Sequence, residues 1–175
     1  MTMLGTPQHL IKRFFVSVFD QGYDKGIESN LLALLNGREK SLYYSQPRMD
    51  RLHSLRNAKS VIEETQTGYD NSLVVAAALH DVGKAEANLG VFGRVFATVL
   101  HGILPIEILE SWNTKEGFRK NTYHYCFHSE RGAALLEEAG SMPIVVTWAR
   151  QHHNKQPDGA MTAEIFALLK RADQK

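Results

Sequence analysis

His80 and Asp81 stand side by side at the end of an apolar run, Leu73-Val74-Val75-Ala76-Ala77-Ala78-Leu79. That order predicts a buried helix whose inner end carries an imidazole and a carboxylate. A buried carboxylate without a partner is costly, and relief comes from a salt bridge, from protonation or from a metal ion. Neutral imidazole and carboxylate oxygen both suit Zn²⁺, Mn²⁺ or iron. Gly83 leaves room beside the pair. Lys84 follows Asp81 by three residues, so on a continuing helix its ammonium reaches the same pocket, where it would suit a phosphate. The plainer alternative is a helix C-terminus, with a cationic His at the negative end of the helix dipole and a solvated Asp.

Other residues of ligand type recur near predicted helix ends: His53, His128, His152, His153 and Asp173. Singly, each has a structural explanation, and His53 beside an apolar stripe reads first as a satisfied core histidine. Together with His80 and Asp81 they form a set that a helical bundle can gather around one cavity.

The elements that must position this set follow from apolar periodicity. A helix is expected over His9 to Phe19 and another over Ile27 to Leu35, closed by Asn36-Gly37. Pro47 opens a helix to Glu64 or Thr65, with Leu52, Leu55, Ala58, Val61 and Ile62 as its buried stripe. Asn71 or Ser72 is expected to cap the apolar helix that delivers His80 and Asp81. Leu89 to Trp112 reads as one or two core helices, or else as a lid or an oligomer contact. One helix is expected to carry His124 and His128 on a shared face, four residues apart, and to run on to Ala139-Gly140. Gly132, one turn after His128, invites a close backbone or ligand. Pro143 opens a helix ending at Gln151-His152-His153. The last helix spans Met161 to Ala172, with Asp173 just beyond it. No segment reads as a strand, so the expected class is all-α.

Length and composition bound the rest. The chain of 175 residues is long enough for one domain with a sizeable core. With 43% hydrophobic and 22% charged residues it has the balance of a globular protein. A net charge of +1 predicts no long nucleic-acid footprint. Cys126 is the single cysteine, which excludes an internal disulfide and a cysteine-based zinc cluster. Met1 to Phe15 lack the order of a signal peptide, so a cytoplasmic location is the expectation. Arg94, His101, Pro105 and Glu107 interrupt the most apolar region, so no membrane span is expected.

As an ordered set, these motifs resemble the HD superfamily of metal-dependent phosphohydrolases. His80-Asp81-Val82-Gly83-Lys84 matches its HD-x-GK form, and Arg51-Leu52-His53-Ser54-Leu55-Arg56 is similar to its first histidine motif. His128-Ser129-Glu130-Arg131-Gly132 resembles the His-x-x-x-Gly element of the HDIG and HD-GYP branches. His152-His153-Asn154-Lys155 resembles their His-His segment, and Leu169-Lys170-Arg171-Ala172-Asp173 the final ligand motif. The Gly-Tyr-Pro tripeptide of the HD-GYP branch is absent after Asp158-Gly159. The resemblance covers Ser45 to the C-terminus.

It implies a single-domain helical bundle of the HD type over residues 45–175, with residues 1–44 as a helical extension and an apolar insertion near residues 89–112. It assigns His53, His80, Asp81 and Asp173 to a first divalent metal. His128, His152 and His153 would serve a second ion bridged by Asp81, with His124 in reserve for His128. Mn, Fe, Ni, Co and Zn all fit such ligands, as one ion or two. The implied partner is a small phosphorylated substrate, a nucleotide by preference, cleaved by metal-activated hydroxide. Asp81 and Lys84 carry the catalytic roles, and Lys84 and Arg131 bind phosphate, although Arg131 also fits a solvated helix face. A homodimer is the assembly entertained. Two other activities share the scaffold: a non-catalytic nucleotide-sensing module and a di-iron oxygenase.

Overall fold

The structure, a computed structural model, describes residues 24–65, 70–159 and 161–174. The helix expected over His9 to Phe19 lies outside them. The described residues are all-α, with no strand among them. The helices are α1 (Lys25–Leu34), α2 (Gly37–Ser45), α3 (Arg48–Thr65), α4 (Asn71–Leu79) and α5 (Val91–Ile103). They continue as α6 (Ile106–Ser111), α7 (Phe118–Cys126), α8 (His128–Glu138), α9 (Pro143–Gln151) and α10 (Ala163–Gln174). Short 3₁₀ stretches cover Val82–Ala87 and Trp112–Thr114. No described helix is long and apolar enough to cross a membrane.

The chain divides into two compact units. One is drawn from Tyr23–Gly83 and Ser129–Lys175, and the other contains Lys84–His128. Residues 25–45, carrying α1 and α2, therefore share a unit with α3 and α4.

In the first unit α4 is the central element. Every residue from Ser72 to Leu79 is buried, as its uninterrupted apolar sequence requires. Leu55 and Val61 of α3, Trp148 of α9 and Leu169 of α10 belong to the same core. The cap of α4 is Asp70, whose Oδ1 accepts from Ser72 N at 2.8 Å. It lies one residue earlier than expected, because a residue with extended backbone can turn its carboxylate back onto the first turn. A second correction concerns Asn36-Gly37. The pair opens α2 rather than only closing the helix before it. Asn36 Oδ1 accepts from Arg38 N and Glu39 N, and Glu39 Oε2 accepts from Asn36 N, a complete capping box.

The helix expected to carry both His124 and His128 is broken. Phe127, with φ −107° and ψ 23°, separates α7 from α8. His124 ends one helix and His128 starts the next, so the two do not share a face. Asp173 lies within α10, not beyond it. Gly132 fulfils its expected close approach, since a Cβ there would lie 3.2 Å from Gly83 N and 3.6 Å from His80 O.

In the second unit α5 is turned inside out relative to the expected core helix. Phe92 is 83% exposed and Ile103 68%, and Val95, Phe96 and Val99 of the same face are exposed too. Inward go Ala97 and Arg94. Arg94 Nε donates to Leu89 O at 3.1 Å, and its guanidinium lies 6.0 Å from the Tyr125 ring. A satisfied arginine packed on an aromatic face is stable where a bare charge is not. Burial pushes the Cys126 thiol of this unit up to about 11.

Gly132→Ala is expected to destabilise the protein by about 1–2 kcal/mol, because the clash is with backbone and outweighs the helix-propensity gain. Gly37→Ala, which meets open space, is expected to hold or gain stability. Urea denaturation of both variants checks the contrast.

Candidate metal centre

Four helices of the first unit bring their ligand-type residues to one place. His53 comes from the second turn of α3. His80 is the C-cap of α4, with Asp81 next to it. His152 is the C-cap of α9, and Asp173 sits in the last turn of α10. Two overlapping groups result, His53–His80–Asp173 and His80–Asp81–His152, each with its donor atoms within 4.8 Å of one another.

Local helix geometry fixes how the rings face. His80 Nδ1 lies 2.9 Å from Ala77 O, and His152 Nδ1 lies 2.8 Å from Ala149 O. A carbonyl oxygen only accepts, so each Nδ1 carries its proton and donates it three residues back. Each Nε2 is thereby turned towards the carboxylates. This is the arrangement that holds metal-ligating histidines in a single tautomer. His128 Nδ1 makes the same bond to Tyr125 O at 2.6 Å.

The carboxylates complete the pattern. Asp173 Oδ1 lies 3.1 Å from His53 Nε2 and 3.2 Å from His80 Nε2. Asp81 divides its oxygens. Oδ2 faces His80 Nε2 at 3.6 Å and His53 Nε2 at 3.8 Å, whereas Oδ1 faces His152 Nε2 at 3.5 Å. A neutral ring whose Nδ1 holds the proton presents only a lone pair at Nε2. Lone pair against carboxylate is repulsive, so these contacts require a second ring proton or a shared cation. Two ligands about 2.1 Å from one ion lie about 3.0 Å apart at a right angle and about 3.4 Å apart at the tetrahedral angle. The observed separations fall at and just beyond those values. Donor types, tautomers and spacing all fit a divalent transition metal.

Electrostatics run the same way. Burial is the main cause lowering the pKa of His53, against the opposing hydrogen bond that its ring gives to Asp173 and the charges of Asp81 and Asp173. Burial pushes the Asp173 carboxyl up. The His80 charge and the hydrogen bonds from His53 and His80 outweigh it and hold the carboxyl well below the usual range. Neutral imidazole and ionised carboxylate are the forms a metal binds. Trp148 walls the site, its ring centroid 6.2 Å from that of His80 and 6.1 Å from that of His152.

The remaining predicted residues are placed as follows. His153 is exposed, with its ring centroid 3.9 Å from that of His152. Arg131 is exposed on α8. Lys84 and His128 belong to the second unit, each adjacent in sequence to the first. Two residues escaped sequence reasoning. Lys170 Nζ donates to His152 O and lies 5.9 Å from the Phe166 ring. Burial lowers its pKa against the Asp173 charge. Asn57, one turn after His53 on α3, places its amide nitrogen 3.1 Å from His53 Nε2. Helical spacing from His53 and from Asp173 was the signal that could have found them.

No family model matches the chain, and no solved structure matches it. The chain is similar to Aspartate 1-decarboxylase 2 of Mesorhizobium japonicum (strain LMG 29417 / CECT 9101 / MAFF 303099), with 34% identity over 80 residues, 43% of this chain and 47% of that protein. It is also similar to Aspartate 1-decarboxylase 1 of the same organism, with 34% identity over 89 residues, 49% of this chain and 52% of that protein. The chain spans about half the length of the curated relatives it matches.

Mn²⁺ or Fe²⁺ at one hundred times its dissociation constant is expected to add about 2.7 kcal/mol to the stability of the wild type, read as a rise in melting temperature that a chelator reverses. Asp81→Ala and His80→Ala are expected to lose both the rise and the bound metal measured by mass spectrometry. An equal rise in Asp81→Ala would place binding elsewhere.

Proposed function

We propose that the chain is a metal-dependent phosphohydrolase, cleaving a phosphoester of a nucleotide or another small phosphorylated compound in the cytoplasm. The observation that carries this reading is the pair of buried imidazoles, His80 and His152, held by backbone carbonyls with Nε2 facing Asp81 and Asp173. The HD resemblance supports the reaction class. When bound, a divalent ion supplies a lowered water pKa and Lewis acidity towards a phosphoryl oxygen. His53, His80, Asp81 and Asp173 would hold one ion. His152 supplies a donor on the Oδ1 side of Asp81, and the resemblance adds His128 and His153 to it.

The chain's own contribution is placement and charge. Asp81 has one oxygen towards His53 and His80 and the other towards His152. It is the carboxylate suited to span two sites and to take a proton from the attacking water. That water would form the new P–O bond as the ester P–O bond breaks, and the proton taken up by Asp81 would pass to the leaving oxygen. Lys84 is assigned by the resemblance to the charge that grows on the phosphoryl oxygens, and Arg131 to phosphate binding. Trp148 and the apolar end of α4 keep one wall of the site dry, which strengthens each of these interactions.

A second reading is favoured by the two relatives: decarboxylation of aspartate at C1. That reaction breaks the bond between the α-carbon and its carboxylate, releases CO₂ and returns a proton to the carbon. The electron pair left on an amine-bearing carbon needs a sink, which imidazole, carboxylate and ammonium groups do not provide. This reading therefore adds a carbonyl-type cofactor to the metal centre, whereas hydrolysis needs only the centre and water.

One panel separates the readings. Wild type loaded with Mn²⁺ or Fe²⁺ is assayed beside Asp81→Ala for phosphate from nucleotides and simple phosphoesters, for CO₂ from aspartate, and for oxygen uptake. Phosphate released by wild type, with a loss of at least about a hundredfold in Asp81→Ala, is the expected result. CO₂ without phosphate would transfer the assignment to the decarboxylase reading.

A further inference from the structure

We propose that Asn57 is a further metal ligand, giving its side-chain oxygen Oδ1 to the ion that His53 holds. The inference rests on the reading of the His–Asp cluster as a metal centre. Asn57 follows His53 by four residues on α3 and so lies on the same helix face. It is 1% exposed. Its amide nitrogen is 3.1 Å from His53 Nε2, and its Oδ1 is buried without a hydrogen-bond partner. A buried amide with its oxygen unmatched calls for an explanation.

The two ends of an asparagine amide have nearly the same shape, and the surroundings decide which end faces inward. In the His53 tautomer whose Nε2 offers a lone pair, the amide N–H group is the end that suits it; in the one whose Nε2–H donates to Asp173, Oδ1 is. Once that lone pair is committed to a cation, the N–H group has nothing there to donate to. A half-turn of the amide then puts Oδ1 in its place. The 3.1 Å separation from Nε2 matches that of His53 Nε2 from Asp173 Oδ1. Both equal the spacing of neighbouring ligands set at a right angle, about 3.0 Å. His53 would then have an oxygen of Asn57 and one of Asp173 at ligand spacing on either side, with His80 3.2 Å from the same Asp173 oxygen. A neutral carbonyl-type oxygen adds a hard donor without adding charge. That shifts preference towards Mn²⁺ or Fe²⁺ and away from tetrahedral Zn²⁺.

The test measures Mn²⁺ and Zn²⁺ affinities of the full chain by chelator competition, for wild type, Asn57→Leu and Asn57→Asp. Wild type is expected to bind both metals. Asn57→Leu is expected to weaken Mn²⁺ about tenfold or more and Zn²⁺ by less, so the Mn²⁺-to-Zn²⁺ affinity ratio falls. Asn57→Asp restores an oxygen and is expected to keep or raise that ratio, with the Mn²⁺ resonance spectrum of wild type. An asparagine that only braces the His53 ring would weaken both metals alike in Asn57→Leu, and an unchanged ratio overturns the inference while leaving the metal centre standing. Should Asn57→Leu fail to fold, the ratio in Asn57→Asp decides alone, and a fall overturns the inference. Wild type that binds neither metal overturns the centre and this inference together.

Discussion

The first unit depends on one buried carboxylate. Asp81 sits at the inner end of a helix with no polar residue between Ser72 and His80. The apolar helix before it offers only His80 as a polar neighbour among Leu73–His80, and other elements supply the rest. Histidines from α3, α4 and α9 turn Nε2 to its two oxygens. An ionised group in such a place is tolerated only with close partners of good geometry. The packing of α3, α9 and α10 around α4 is therefore an electrostatic requirement as well as a way to bury apolar surface. A cation shared among these groups satisfies all of them at once, which protons distributed over separate rings do not.

Rigidity comes from short-range bonds. His80 and His152 each donate Nδ1–H to a carbonyl three residues back, in the last turn of their own helix. Those carbonyls are among the orphan acceptors that every helix C-terminus leaves. A histidine at the C-cap thus does two things: it closes the helix, and it turns the other ring nitrogen to a carboxylate. Two helices ending this way, side by side, present two oriented ligands with little side-chain entropy left to lose on binding. Lys170 adds to the order by donating to His152 O at the end of α9.

Much of this cluster could be read in the sequence, because its His and Asp residues lie next to signals that are local. An apolar run that ends in His-Asp, a proline that opens α9 and a histidine pair that closes it are all strings of a few residues. What escaped depended on contacts far apart in the chain, or on a single backbone angle. Nothing in the spacing of His124 and His128 reveals the break at Phe127. The apolar face of α5 was expected inward, since periodicity reports that a helix has two faces and not which one packs. The side that packs instead carries Ala97 and Arg94, whose guanidinium meets Leu89 O and the ring of Tyr125. Asn36-Gly37 was read as a stop because glycine commonly ends helices. The Glu39 that completes the capping box makes it a start.

The two proposed readings differ in electron demand. Phosphoester hydrolysis asks a site to bring negative charges together, the nucleophile and the phosphoryl oxygens, and to neutralise them. Three imidazoles and two carboxylates, were they to hold a divalent ion, would meet that demand without a further group. Decarboxylation at C1 of an amino acid asks instead for delocalisation of a carbon-centred electron pair. Charge neutralisation contributes little there, because a carbon-centred pair needs a conjugated acceptor rather than a counter-ion. Binding an α-carboxylate tightly to the metal would also stabilise the very group that must leave, raising the barrier rather than lowering it.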